Sequence, residues 1–184
     1  MNLSTEEKKI LLEIARRTIE SSVKRIPIPD FEDSYTISPS LKLNAGAFVT
    51  IEINHSLRGC VGYIQSDEPL FETVSKAAIS AAMHDTRFSP LTEAELDGIE
   101  IEISVLSPMK KVEDVSKIVP GEHGLLIESE YHHGLLLPQV ATEYRWDRVT
   151  FLEQTCVKAG LPKNAWKKPE TVIYSFTALV FNEE

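Results

Sequence analysis

The segment GIEIEISVL, at residues 98–106, alternates strictly between apolar and polar side chains. The apolar positions are Ile99, Ile101, Ile103 and Val105, and the polar positions are Glu100, Glu102 and Ser104. A period of two places successive side chains on opposite faces of a β-strand. The segment therefore predicts a strand with one buried face and one polar face.

Three segments predict helices. The first covers residues 4–23, where an apolar residue recurs at every fourth position from Leu11 to Val23. Ser4 and Glu7 have the spacing of a capping box at its start. Asp67 is placed to cap a second, alanine-rich helix, with Pro69 in its first turn. Residues 147–159 predict a third helix, which Gly160 ends.

Further β-strands are predicted at residues 47–53, 57–64, 123–129, 133–140 and 171–181. The strand at 133–140 is expected to end early at Pro138, and residues 171–181 are expected to form a buried closing strand. Strands outnumber helices and adjoin one another. This order favours an α+β fold, with a mainly antiparallel sheet flanked by helices, over a series of βαβ units.

The bulk properties exclude several classes of protein. A length of 184 residues suits a single domain over residues 1–184, with room for two lobes. A net charge of -9 argues against nucleic acid as the main partner. No signal peptide or membrane-spanning stretch is evident in the sequence. No disulfide framework is evident either, since Cys60 and Cys156 are the only cysteines. We expect a reduced, soluble, cytoplasmic protein with no membrane association.

The stretch LRGCVG, Leu57 to Gly62, stands out within its predicted strand. A hairpin that is symmetric about His55 places Arg58 and Cys60 side by side on one face, opposite polar residues. The expected pairs are Glu52 with Arg58, Thr50 with Cys60, and Phe48 with Gly62. Gly62 then leaves space beside the sulfur unless Phe48 fills it. The Gly59-x-x-Gly62 spacing in so acidic a chain is a weak match to an RNA-clamping loop.

Cys60 has two interpretations. A neighbouring guanidinium favours a thiolate, and His55 or His84 could serve as a base, which would make Cys60 a catalytic nucleophile. Alternatively, Cys60 is a small apolar side chain and Arg58 forms a structural pair with Glu52. Cys156, which lies among apolar helical residues, is predicted to be buried and structural.

The stretch HDTRFSP, residues 84–90, carries a second group of charged residues. A carboxylate at the C-terminal end of a helix needs a compensating partner, and Arg87 or Arg58 could provide it for Asp85. If Asp85, Arg87 and Arg58 converge, they can bind an anionic or zwitterionic group. The alternative is a local Asp85–Arg87 pair that holds a loop, with Phe88 as its apolar anchor.

The remaining polar residues give weaker signals. Glu100 and Glu102 could do acid–base chemistry, although alternating glutamates more often mark a solvated sheet face. His123, His132 and His133 lack companion ligands at usable spacing, so no metal site is predicted.

Together, LRGCVGYIQ, then AAMHDTRFSPLTEAELDGIEIEISVLSP, and GLLLPQVATEYRWDRVTFLEQTCVKAGLP resemble the AMMECR-type domain. This family is named after the Alport syndrome, midface hypoplasia and elliptocytosis region. The resemblance runs from about Ala47 to the C-terminus, with Val61 and Thr86 as mild departures.

The resemblance implies an α+β fold of two lobes with a cleft between them. It implies that the signature positions are Arg58, Gly59, Cys60, Gly62, Asp85, Arg87 and Phe88, to which the residue pattern adds Glu102. It further implies Memo-like or radical-SAM proteins as partners, but no established reaction and no known cofactor. Two functions stay open: a ligand-binding or accessory protein acting through a cleft around LRGCVG, or an enzyme that uses Cys60 as a nucleophile or redox thiol.

Overall fold

In the computed structural model, which describes residues 2–183, the alternating segment forms a strand inside a four-stranded sheet. The strands are β1 (Ala47–Ile53), β2 (Ser56–Tyr63), β3 (Ile99–Leu106) and β8 (Ala178–Asn182). Their order is β2-β1-β3-β8, and β1 is antiparallel to both of its neighbours. Ile99, Ile101, Ile103 and Val105 are all buried, as the period of two predicts.

Two helices supply the buried side of this sheet. α1 (Thr5–Lys24) packs on β3, and α3 (Leu70–Met83) packs on β1, on β2 and on α1. The alanines of α3 are buried against the sheet because small side chains allow the helix to approach it closely. The shared core contains Leu11, Ile14, Ile19, Leu41, Val49, Ile51, Leu70, Val74, Ala77, Ala78 and Ala81.

The predicted capping box of α1 is present. The Glu7 amide donates to Ser4 Oγ at 3.2 Å, and the Ser4 amide donates to Glu7 at 2.7 Å. A hydrogen bond from Ser38, together with these capping contacts, lowers the pKa of Glu7 to about 2. Further along α1, Arg16 makes a bidentate ion pair with Glu183, so the helix is tied to the end of the chain.

A second sheet lies in residues 107–178. Its strands are β4 (Lys110–Lys111), β5 (Gly124–Ser129), β6 (His132–Leu136) and β7 (Val172–Phe176), in the order β4-β7-β5-β6 with antiparallel pairing. α4 (Pro138–Glu143) contacts β5, and α5 (Arg148–Lys158) contacts β5 and β6. Cys156 is fully buried in the same core cluster as Phe151 and Leu152, which confirms its predicted burial.

The shorter segments complete the chain. α2 (Phe31–Ser34) follows α1, and three 3₁₀ turns cover Glu93–Gly98, Val115–Lys117 and Ala165–Lys167. Gly160 has a φ of 75° immediately after α5, so it ends that helix as predicted.

Two sequence expectations need correction. Asp67 does not cap α3, whose N-cap residue is Pro69, and the Asp67 carbonyl instead accepts a hydrogen bond from Asn44 at 3.0 Å. Residues 171–181 do not form one buried strand, because Thr177 separates β7 from β8 and the two strands belong to different sheets. The β-strand propensity is uniform along residues 171–181, so the sequence gives no signal for the break at Thr177.

The chain divides into two compact units, residues 1–106 with 179–184, and residues 107–178. Unit 1 carries 19 acidic and 10 basic residues, whereas unit 2 carries nine of each, so unit 1 accounts for the whole net charge of -9. Within residues 2–183, no helix is both long and apolar enough to cross a membrane.

We expect Gly59→Ala to lower the free energy of unfolding by about 1–3 kcal/mol. A Cβ at Gly59 would lie 2.3 Å from the carbonyl oxygen of Ala81, and the backbone of a packed helix cannot give way easily. Gly98→Ala is the matched control, because a Cβ there meets nothing within 4 Å. Urea unfolding measures both variants, and equal midpoints would contradict a tight β2–α3 contact.

Candidate functional site

The β1–β2 hairpin turns at Asn54 and His55, whose φ values of 50° and 59° are those of a type I′ turn. The predicted pairs Thr50 with Cys60 and Phe48 with Gly62 are present. Ile51 also pairs with Gly59 as expected, but nearer the turn the prediction is wrong, because Glu52 pairs with Leu57 and not with Arg58. The observed turn has two residues, whereas a turn that is symmetric about His55 would have three. Because the turn is one residue shorter, β2 has one residue too many for the register farther along, and Arg58 is that extra residue in a β-bulge.

Arg58 contacts Glu95, not Glu52. Its guanidinium donates to both carboxylate oxygens of Glu95, at 2.7 and 3.3 Å, and to the carbonyl oxygens of Ser89 and Pro90, at 2.9 and 3.4 Å. This pairing lowers the pKa of Glu95 to about 2. All three guanidinium nitrogens of Arg58 are engaged, so the residue anchors β2 to the loop after α3.

Sequence reasoning missed Glu95. Its carboxylate accepts from the amide and the hydroxyl of Thr92, at 2.9 and 2.7 Å, and so completes a capping box. The Thr92-x-x-Glu95 spacing was the signal available in the sequence. That spacing identifies the cap, but only the fold brings Arg58 to the same carboxylate.

The two glycines of LRGCVG allow close packing. Gly59 lies under the Ala81 carbonyl, and a Cβ at Gly62 would lie 2.5 Å from Cγ of Phe48. Phe48 therefore fills the space next to Gly62, which settles the alternative that the sequence left open.

Cys60 lies in a polar row that crosses three strands. Thr50 is paired with Cys60 on one side and with Glu102 on the other. The Thr50 hydroxyl donates to Cys60 Sγ at 3.3 Å, and the Cys60 residue is half-buried. The predicted strand partner of Cys60, Thr50, is thus in place. Glu102 lies on the next strand, on the far side of Thr50 in the same row.

Asp85 and Arg87 bind the backbone of Cys60. The Cys60 amide donates to Asp85 Oδ2 at 2.9 Å, and Arg87 Nη2 donates to the Cys60 carbonyl oxygen at 3.1 Å. Arg87 also donates to both oxygens of Asp85, from Nε at 2.9 Å and from Nη2 at 2.7 Å. The two residues form one unit, here called the Asp85–Arg87 clamp, which occupies the outer edge of β2.

The two side chains of the clamp differ in their exposure to solvent. The Asp85 side chain is only 6% exposed, and its hydrogen bonds with Arg87 hold the pKa of its carboxyl far below the usual range. The Arg87 side chain is 53% exposed, and its pKa is raised chiefly by Asp85, with Cys60 as a further cause. Within residues 2–183, Nη1 of Arg87 makes no hydrogen bond.

Phe88 lies between the two arginines. Its ring centroid is 5.9 Å from Cζ of Arg58 and 5.5 Å from Cζ of Arg87, both within the range of a cation–π contact. The structure shows the local Asp85–Arg87 pair. Arg58 pairs with Glu95 instead of Asp85, and it meets this group only through the ring of Phe88.

The histidines considered as bases are not bonded to the sulfur. His55 is at the tip of the hairpin with Nδ1 at 3.8 Å from Glu100, and His84 is exposed at the end of α3. In the part of the chain that is described, neither donates to or accepts from Cys60. The groups that do surround Cys60 are the Thr50 hydroxyl and the Asp85–Arg87 clamp.

Comparison with known proteins agrees with this motif and fold. The AMMECR1 family model matches residues 12–181. The chain is 42% identical to a protein of Methanothermobacter thermautotrophicus, over 99% of this chain and 97% of the other. It is 44% identical to protein TK0174 of Thermococcus kodakarensis, over 96% and 90%.

A solved structure shares the fold over nearly the whole chain. The crystal structure of uncharacterized protein PH0010 from Pyrococcus horikoshii superposes with a TM-score of 0.90 at 38% identity, and the match covers 99% of this chain and 94% of that one. The chain belongs to the AMMECR1 family. The family match also begins in α1, earlier than the resemblance read from the motifs.

We expect Asp85→Asn to destabilise the protein at pH 7 by about 1.5–3 kcal/mol, the range for hydrogen bonds to charged groups. Because the native pKa of Asp85 lies below the ordinary value of 3.8, its contribution to stability is complete above that value and is lost as the pH falls from there through the lower native pKa. The difference between wild type and Asp85→Asn should therefore shrink below about pH 4. Chemical unfolding at several pH values measures it.

Asp97→Asn is the control for loss of one charge. Asp97 is exposed and has no side-chain hydrogen bond within the described residues. A gap between Asp85→Asn and wild type that grows on acidification would contradict the role given to the clamp.

Proposed function

We propose that this chain is a cytoplasmic ligand-binding accessory protein, whose ligand is a small anionic or zwitterionic molecule held beside Cys60. The observation that carries the proposal is the half-exposed Arg87, which the buried Asp85 orients and which keeps Nη1 without a hydrogen bond in residues 2–183. A guanidinium fixed in this way can accept a carboxylate or phosphate oxygen with little loss of side-chain freedom.

The surroundings of Arg87 favour a small and polar ligand. Thr50 and Glu102 continue the row from Cys60 across the sheet and supply a hydroxyl and a carboxylate. A ligand that carries a negative charge would match the exposed guanidinium of Arg87 at the Cys60 end of this row. The cleft around residues 57–62 that the family resemblance implies is part of this proposal.

Partners and location belong to the same proposal. Both cysteines are free, which is typical of a reducing compartment such as the cytoplasm. A Memo-like or radical-SAM protein is the proposed partner, on the family resemblance alone. Its capture by the wild-type chain and by Cys60→Ser, but not by Arg87→Gln, is the expected result.

Two alkylating reagents test the anion site. We expect Arg87→Gln to lower the ratio of the Cys60 rates with iodoacetate, an anion, and iodoacetamide, which is neutral, by about fivefold. That is the effect of about 1 kcal/mol for a charge pair near 4 Å in water. The neutral reagent corrects for any change in the thiol itself. Peptide mass spectrometry reads each cysteine separately.

The chain offers two controls. Arg25→Gln removes an exposed arginine of the same unit that has no side-chain hydrogen bond in the described structure, so its ratio should equal that of wild type. Cys156 should resist both reagents, because it is fully buried and burial raises the pKa of its thiol. If the ratio of the iodoacetate and iodoacetamide rates at Cys60 is unchanged in Arg87→Gln, the proposed anion site is wrong.

A second function is supported by the Thr50 hydroxyl, which donates to Cys60 Sγ, and by the adjacent guanidinium. In this alternative, Cys60 is a nucleophile: its thiolate attacks an acyl carbonyl and expels the leaving group. We expect p-nitrophenyl acetate to release one equivalent of p-nitrophenolate rapidly from wild type and from Cys156→Ser, and none from Cys60→Ser. A burst that survives Cys60→Ser would exclude acylation at Cys60.

A further inference from the structure

The turn end of the β1–β2 hairpin carries a second group of side chains, which takes no part in the contacts around Cys60. Glu52 of β1, His55 of the turn and Glu100 of β3 each offer one ligand atom, and the three atoms lie within 4.8 Å of one another. His55 Nδ1 is 3.8 Å from Glu100 Oε2. These three residues are called the hairpin cluster below.

The register of the sheet creates this group. Glu52 and Glu100 are direct partners on antiparallel strands, where two like charges repel each other. The type I′ turn then brings the imidazole of His55 back toward the same pair. Two carboxylates and one imidazole therefore meet at a point where a positive charge is needed.

We propose that the hairpin cluster binds one divalent transition-metal ion. Imidazole nitrogen and carboxylate oxygen are both ligands of zinc, at about 2.0–2.2 Å. Ligand atoms around such an ion lie about 3.4 Å from one another, so separations of up to 4.8 Å have to shorten by up to about 1.4 Å. The side chains of His55 and Glu100 are 87% and 57% exposed, and are free to make that movement.

The charge balance favours a divalent ion. Two carboxylates and a neutral imidazole cancel the two positive charges, and unit 1, which carries the cluster, has the whole net charge of -9. Three protein ligands leave a further coordination position for water. The competing account is that a protonated His55 alone compensates the two glutamates, and in that case no metal binds.

Isothermal titration of the full chain with zinc chloride, after treatment with a chelator, distinguishes the two accounts. We expect saturable binding of one ion per chain. His55→Ala and Glu100→Gln should each weaken binding by at least about tenfold. These side chains are exposed, so both variants should keep the wild-type circular dichroism spectrum.

His84→Ala is the matched control, because His84 is an exposed histidine of the same unit. Its affinity for zinc should equal that of wild type, and excess magnesium should not displace zinc from an imidazole-containing site. The proposal is overturned if no one-to-one binding occurs, if His55→Ala and Glu100→Gln bind as wild type does, if His84→Ala loses binding, or if magnesium displaces the zinc.

Discussion

The architecture around Cys60 depends on the hydrogen bonds that the carboxylate of Asp85 accepts. It is buried just beyond the end of α3, and its oxygens accept hydrogen bonds from the Cys60 amide, from the Arg87 amide and from the Arg87 guanidinium. A buried charge is tolerated only when its hydrogen-bonding capacity is satisfied, and here every partner lies within one short loop or on the adjacent strand. The carboxylate thus joins helix to sheet.

The same interaction protects the edge of a sheet. β2 has β1 on one side only, so backbone groups on its other side would be open to pairing with another chain. The Asp85–Arg87 clamp occupies the amide and the carbonyl of Cys60 at that edge. One polar pair therefore orients a guanidinium beside a thiol and also blocks strand addition at this residue.

The bulge at Arg58 separates two neighbouring regions of the hairpin. On one side of it, the β1–β2 register keeps Cys60 beside Thr50. On the turn side lies Glu52, which the uninterrupted β1–β3 ladder places opposite Glu100. Arg58 itself leaves the ladder and pairs with Glu95. The consequence is that two sets of polar side chains with different chemistry share one hairpin: a thiol with a guanidinium, and carboxylates with an imidazole.

The sequence by itself determined the three longest helices, most of the strands and the central pairs of the β1–β2 hairpin. The period of two in β3, the capping box of α1, the glycine after α5 and most of the hairpin register follow from local rules, because each depends on residues a few positions apart. The family could also be recognised at this level, since its motifs are contiguous.

Only the tertiary structure decided what the charged side chains contact. The partner of Arg58 is 37 residues away, and the Cys60 amide meets a carboxylate 25 residues away. The chain alone allowed Glu52 or Asp85 as the partner of Arg58, since any nearby carboxylate satisfies a guanidinium. In the structure, Arg58 is the extra residue of a β-bulge in β2, outside the ladder, and it pairs with Glu95. The break at Thr177, which divides residues 171–181 between two sheets, likewise gives no signal in the β-strand propensity of those residues.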